Sequence, residues 1–123
     1  MTSLRVLIAS PDDAMRARVA EVVSSRDHRI VLESAAPFEA LEACLDGNVD
    51  VAILDDALRS MRGSEVAAVL GDVRTEVATI VLYRGEVYGD EGFLALNPLR
   101  EGFDEALANV LDGLGERRDP RGL

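Results

Sequence analysis

Asp55 and Asp56 are the side chains in this sequence best placed to do chemistry. They follow a nearly continuous apolar run, residues 49–54. A run of this kind is typical of a buried parallel strand that is covered on both faces. Open α/β folds hold their sites at the carboxyl ends of such strands, so we expect the function to depend on the surroundings of Asp55.

Other residue types that commonly carry catalysis are scarce. Cys44, the only cysteine, lies at helical spacing from Leu41, which favours a small core residue over a reactive thiol. His28, the only histidine, stands between Asp27 and Arg29, which predicts a solvated turn. One histidine and one cysteine make neither a zinc site nor a Ser-His-acid set, and both glycine-rich phosphate motifs are missing from the sequence. We therefore predict no enzyme, no metal and no cofactor.

Composition narrows the class of protein further. The 123 residues suffice for one domain that needs no disulfides, and no apolar run reaches the roughly 18 residues that span a bilayer. The first residues do not resemble a signal peptide, so we expect a cytoplasmic location. The net charge of −10 predicts that this chain does not bind nucleic acid. All 13 basic residues are arginine, which excludes any mechanism that requires lysine.

Apolar spacing predicts an alternation of strands and helices. Strands are expected at residues 4–9, 30–32, 49–54, 79–83 and 93–96, and the second soon becomes polar, which favours a sheet edge. Four helices are expected to bury, in turn, Met15, Val19, Val22 and Val23; Phe38, Leu41, Cys44 and Leu45; Val66, Val69, Leu70 and Val73; and Phe103, Leu107, Val110, Leu111 and Leu114.

Alternating strands and helices predict an α/β fold with a parallel sheet and helices on both sides. The regular pattern fails once, between the fourth and fifth strands. Residues 84–92 contain three glycines and only Val87 and Tyr88 as apolar residues. This stretch is too short and broken for a full crossover helix, so we predict that one helix is missing or reduced there.

The order of elements resembles the receiver domain of bacterial response regulators over about residues 5–114. The most specific features are the spacing from Asp55 to Gly63, Asn97-Pro98 in place of that family's Lys-Pro, and Met15-Arg16 in the first helix. The resemblance implies a flavodoxin-like, doubly wound, five-stranded parallel sheet of order 2-1-3-4-5. It also implies a role in two-component signal transduction, with Asp55 at the position that the family phosphorylates.

Phosphoryl transfer to an aspartate brings negative charges together, so the family surrounds it with compensating groups. An acid pair after the first strand binds Mg²⁺, a hydroxyl follows the fourth strand, and a lysine follows the fifth. The change is transmitted through the fourth helix, the fifth strand and the last helix.

Most of these groups differ in this sequence. The acid pair is replaced by Ser10-Pro11, and Asp12 and Asp13 come later, where they are expected to cap the first helix. Asp56 is the remaining carboxylate beside Asp55.

The two positions that contact the phosphoryl oxygens also differ. The hydroxyl position is Arg84, preceded by Tyr83, and the lysine position is Asn97, which carries no charge. Our principal interpretation is a degenerate receiver, or pseudo-receiver, in which Asp55 accepts hydrogen bonds from backbone N–H groups or pairs with Arg84 or Arg59. The alternative is a working phosphoacceptor that uses Arg84 as its cation. A small α/β enzyme or nucleotide binder has little support.

Residues 1–115 are predicted to form the receiver-like domain, and residues 116–123 a tail or the start of a linker. Such a linker would lead to a C-terminal DNA-binding domain and a role in transcription regulation. Loss of the helix between the fourth and fifth strands would expose the face formed by those two strands and the last helix. We therefore expect a protein partner or a homodimer at that face.

Overall fold

A computed structural model describes residues 3–74, 76–85 and 93–117 of the chain. The elements in chain order are β1 (Arg5–Ala9), α1 (Asp13–Ser25), β2 (Arg29–Ser34), α2 (Pro37–Leu45), β3 (Val51–Asp55), α3 (Gly63–Val73), β4 (Ala78–Leu82), β5 (Leu94–Leu96) and α4 (Phe103–Arg117). The predicted strands and helices all form, with ends that differ by a few residues.

The five strands form one parallel sheet of order β2-β1-β3-β4-β5. The predicted flavodoxin-like order 2-1-3-4-5 is therefore confirmed, as is the position of β2 at an edge. β3 lies in the centre with every residue buried, as its apolar run predicted. Its carboxyl end pairs with that of β4 through Asp55 and Leu82.

Two helices cover each face of the sheet. Val51 and Ile53 pack in a core with α1 and α4, whereas Ala52 and Leu54 pack in a second core with α2 and α3. Side chains alternate between the faces of a strand, so an apolar run without interruption is what a strand between two layers of helices requires.

The connection from β4 to β5 is the one in which the sequence predicts a missing or reduced helix. It comprises residues 83–93, and the described ones, 83–85 and 93, are not helical. Parallel strands are ordinarily joined by a dozen or more residues with a helix. The described chain accordingly has four helices instead of five, while residues 86–92, where Val87 and Tyr88 fall, lie outside the described residues.

The helical faces were predicted correctly for α1, where the four predicted residues are all buried. The prediction was wrong for parts of α2 and α3. Phe38 and Leu45 are 62% and 40% exposed, and Val73 is 56% exposed. The buried face of α2 consists instead of the smaller Pro37, Ala40 and Cys44. Close packing of this helix against the sheet favours its small side chains, which periodicity alone does not reveal.

The prediction for His28 was also wrong. Its side chain is buried, and Nδ1 accepts a 3.1 Å hydrogen bond from the backbone N–H of Leu4. This contact joins the turn before β2 to the start of β1. Cys44 is a buried core residue as predicted, and burial raises the pKa of its thiol to about 11.

At the C-terminal end, α4 continues to Arg117, two residues into the predicted tail. Residues 118–123 lie outside the described part of the chain. Within the described residues, no helix combines the length and the apolarity that crossing a bilayer requires.

Candidate functional site

The parallel sheet brings three chain segments together around Asp55. β3 ends at Asp55, and its neighbours β1 and β4 end at Ala9 and Leu82. Ser10 follows β1 directly, and Arg84 follows β4 by two residues. Residues that are 45 and 29 positions from Asp55 in sequence therefore reach one carboxylate.

Asp55 is fully buried, and both of its carboxylate oxygens are engaged. Oδ1 accepts hydrogen bonds from Nη1 of Arg84 at 2.7 Å and from the backbone N–H of Ala57 at 2.9 Å. Oδ2 accepts from Nη2 of Arg84 at 3.0 Å and from the hydroxyl of Ser10 at 2.7 Å. The guanidinium thus binds the carboxylate with both arms of its fork, a strong form of charged pair.

The charge of Asp55 is stabilised in spite of its burial. Burial alone would raise the pKa of this carboxyl. The four hydrogen bonds, led by those from Arg84, outweigh that effect and hold the pKa of Asp55 below its ordinary value. The bonds to Asp55 in turn raise the pKa of Arg84 above its ordinary value. Both groups are charged at neutral pH.

The neighbouring carboxylates accept hydrogen bonds from backbone N–H groups at the first turns of helices. Asp12 is the N-cap of α1, where Oδ1 accepts from the backbone N–H groups of Ala14 and Met15. Its own backbone N–H donates to the Ser10 hydroxyl at 3.1 Å. Asp56 accepts from the backbone N–H of Ser64 in the first turn of α3, at 3.0 Å. The capping role predicted for Asp12 is confirmed, and Asp13 lies in the first turn of the same helix.

The receiver resemblance implies a Mg²⁺ ion beside Asp55, but the donor set in this structure does not fit one. Mg²⁺ requires several oxygen ligands with free lone pairs, in nearly octahedral geometry. Here the fork of Arg84 lies against both oxygens of Asp55, and the Ser10 hydroxyl donates its proton toward the carboxylate. The guanidinium places positive charge directly on the carboxylate.

Gly63 determines how closely α3 approaches the site. A Cβ atom on Gly63 would lie 2.7 Å from the carbonyl oxygen of Asp55 and 2.9 Å from that of Leu54. Both contacts are far closer than van der Waals packing allows. The spacing from Asp55 to Gly63 therefore has a steric cause, because the start of α3 packs on the backbone at the end of β3.

Tyr83 and Asn97 lie at the same edge of the sheet, where each forms a hydrogen bond with a backbone group in or just after β5. The backbone N–H of Tyr83 donates to the Leu96 carbonyl at 2.9 Å, which extends the pairing of β4 with β5. The Tyr83 ring lies over Gly85, where a Cβ would approach it to 2.8 Å. The Asn97 side-chain oxygen accepts from the Leu99 N–H at 2.9 Å in the turn that leads to α4.

Sequence reasoning found Asp55 and Arg84 but missed the part that Ser10 plays. In the sequence Ser10 indicates only the loss of a carboxylate, whereas in the structure its buried hydroxyl links Asp55 to the start of α1. A hydroxyl directly after a strand adjacent to β3 was the available signal. Arg59, the other arginine considered, is exposed and makes none of the bonds to Asp55 described above.

Comparisons with known proteins show that the chain has the receiver-domain fold. It superposes on the receiver domain of Francisella response regulator 1452 with a TM-score of 0.82 and 16% identity, covering 95% of this chain and 100% of that one. The receiver domain of NarL from Mycobacterium tuberculosis gives 0.73 and 21% identity, with 92% and 99% covered. No protein-family model and no curated protein sequence matches the chain.

A third similar structure contains the metal that the resemblance implies. It is the receiver domain of a Pseudomonas aeruginosa sensor histidine kinase with a magnesium ion in its active-site cleft. Its TM-score is 0.75 at 15% identity, covering 91% of this chain and 97% of that one. At this level of identity the likeness extends to the fold, and the properties of the site depend on the residues that this chain carries.

Proposed function

We propose that this chain is an atypical receiver module of bacterial signal transduction. It is cytoplasmic and not an enzyme, and it acts by binding another protein, without phosphorylation of Asp55. The observation that supports this most directly is the bidentate pair between Arg84 and Asp55. A carboxylate whose two oxygens accept four hydrogen bonds has no lone pair presented to an incoming phosphoryl group. Attack would require the guanidinium to leave a buried carboxylate, at a cost of several kcal/mol.

The direct test is treatment of the full chain with a small phosphoryl donor and Mg²⁺, followed by intact-mass measurement. We expect no added phosphoryl group on wild type or on Asp55→Asn. Arg84→Ala, which frees the carboxylate, is the matched comparison. A stoichiometric, Mg²⁺-dependent adduct on wild type that Asp55→Asn abolishes would overturn the proposal.

That result would support the alternative function, a phosphoacceptor that uses Arg84. One observation favours it: Arg84 already places a fixed positive charge at 2.7 Å from Asp55, where charge would develop during transfer. In that case Arg84→Ala would reduce the rate of adduct formation. In our principal proposal Arg84→Ala leaves that rate at zero or raises it.

We propose that the face formed by β4, β5 and α4 is one of the surfaces that bind protein. A cavity of about 470 Å³ opens there, lined in part by Ile80, Leu94 and Val110, and Leu94 is 44% exposed. We propose a partner protein or a second copy of the chain at this face. Light scattering tests the homodimer, and a monomer at tens of micromolar would exclude it.

The segment after α4 is proposed to lead to a DNA-binding output domain, with a role in transcription regulation. One of the similar structures is a DNA-binding response regulator of the LuxR family from Staphylococcus aureus, with a TM-score of 0.77 and 19% identity. Sequencing of the gene beyond residue 123 would test this, and a stop codon there would contradict it.

A further inference from the structure

Helix α2 has a second apolar surface in addition to the one that packs on the sheet. Phe38, Leu41 and Leu45 follow one another at intervals of three and four residues, so they form one stripe along the helix. Phe38 is 62% exposed and Leu45 is 40% exposed, with Leu41 half-buried between them. We call these three residues the Phe38 stripe. An exposed aromatic residue continued by two leucines is a form of surface that marks binding sites.

An acidic row runs beside the Phe38 stripe. Glu39, Glu42 and Asp46 are all exposed, and within the described residues their carboxylates form no ion pair. Helix α2 contains no basic residue. Helix α2 therefore presents a row of three negative charges along its apolar stripe, and the neighbouring cation Arg74 donates to the Leu45 carbonyl at the end of the helix.

Phe38 and the acidic row also line a groove between α2 and the edge strand β2. Its volume is about 400 Å³, and its walls are Leu32 and Ala43 together with Phe38 and the acidic row. A partner side chain could insert between the helix and the strand while its neighbours contact the stripe. The concave shape, the apolar floor and the acidic rim are thus contiguous.

We propose that the Phe38 stripe and the acidic row bind a basic amphipathic segment of a different protein. Apolar residues of that segment would cover Phe38 and Leu45, and its arginines or lysines would pair with the acidic row. Charge argues against a second copy at this surface. A two-fold symmetric dimer would place α2 against α2 and bring the six carboxylates of two acidic rows together, and the helices themselves contain no basic residue to pair with them.

This inference rests on the proposed role as an interaction module and specifies the chemistry of one partner. It does not depend on the phosphorylation of Asp55. The Phe38 stripe lies on α2, whereas the contacts of Asp55 come from Ser10, Ala57 and Arg84.

The test uses the full chain as bait for a displayed library of random twelve-residue peptides. We expect the selected peptides to combine at least two arginines or lysines with leucine, isoleucine or phenylalanine. A synthetic version of a selected peptide should bind wild type. Its affinity for Phe38→Ser, and for the double variant Glu39→Arg, Glu42→Arg, should be about tenfold or more lower, which is the effect typical of a central contact residue. Added salt should weaken binding.

Matched controls change equally exposed residues elsewhere. Leu99→Ser removes an apolar side chain that is 71% exposed, and Glu105→Arg reverses an exposed charge on α4; both should bind as wild type does. Thermal unfolding of each variant verifies folding. Since Phe38 is exposed, its replacement should leave the unfolding midpoint nearly unchanged.

Selection of acidic peptides or of none, or equal binding by Phe38→Ser and wild type, would overturn the proposal. A dimer that Phe38→Ser converts to a monomer would also overturn it, in favour of a second copy. Asp55→Asn distinguishes this failure from failure of the proposed function, because peptide binding should be the same in that variant whether or not wild type accepts a phosphoryl group.

Discussion

Replacement of Arg84 by alanine is the most informative single perturbation of the site. It removes two charged hydrogen bonds, of 2.7 and 3.0 Å, from a carboxylate that is fully buried. One N–H and one hydroxyl remain to stabilise its charge. Loss of one partner of a buried pair costs about 3–5 kcal/mol, and the 31% exposure of the Arg84 side chain places the expected loss lower, at about 2–3 kcal/mol.

The loss should depend on pH with a defined sign. The pKa of Asp55 is lower in the folded chain than its ordinary value, so the folded state binds fewer protons at this group. Its contribution to stability is complete above the unfolded pKa of about 3.9 and is lost as the pH falls through the lower folded value. The difference between wild type and Arg84→Ala should therefore be largest near neutral pH and shrink below about pH 4.

Urea unfolding followed by circular dichroism, at neutral and at acid pH, measures both effects. Arg59→Ala is the matched control, because it removes an exposed arginine of the neighbouring loop and should change stability by no more than about 0.5 kcal/mol. Equal losses for the two variants, or a loss for Arg84→Ala that does not change with pH, would refute the assigned role of the pair.

Three further predictions concern the elements that surround the site. Gly63→Ala should destabilise the fold by about 1–3 kcal/mol in urea unfolding, because the added Cβ would overlap the Asp55 carbonyl. Gly71→Ala in the same helix has open space around it and should be neutral or stabilising. Equal effects of the two changes would contradict the steric argument. Asp12→Ala should cost about 1 kcal/mol through loss of the α1 cap, and an unchanged unfolding midpoint would count against it. Cys44, with a pKa raised to about 11, should resist iodoacetamide in the native chain and react in denaturant, and rapid native alkylation would show that it is not buried.

The contrast between α1 and α2 shows how far sequence periodicity can predict a helix face. In α1 the apolar residues form a single stripe, and the structure buries that stripe. In α2 the apolar residues extend over two adjoining faces, so two orientations satisfy the same pattern. The structure buries Ala40 and Cys44 and exposes Phe38, because the space above the sheet and beside α3 accommodates small side chains there. That choice depends on neighbouring elements that a helical period does not include.

His28 illustrates a similar limit for polar residues. Its neighbours in sequence, Asp27 and Arg29, are charged, and this favoured a solvated turn. The turn folds back so that the imidazole reaches the Leu4 N–H, 24 residues away. A backbone donor leaves no mark in a sequence, so no pattern of side chains could have revealed this contact.

The sequence by itself determined the fold class, the central position of β3 and the position of Asp55 at the carboxyl edge of the sheet. These follow from local rules, because a strand covered on both faces must be apolar throughout and its polar residues can begin only where it ends. The sequence also narrowed the cation beside Asp55 to two arginines. Only the tertiary structure decided between Arg84 and Arg59 and made Ser10 a donor. Those contacts depend on the order and register of three parallel strands, which place distant strand ends together, and on side-chain orientations that packing fixes.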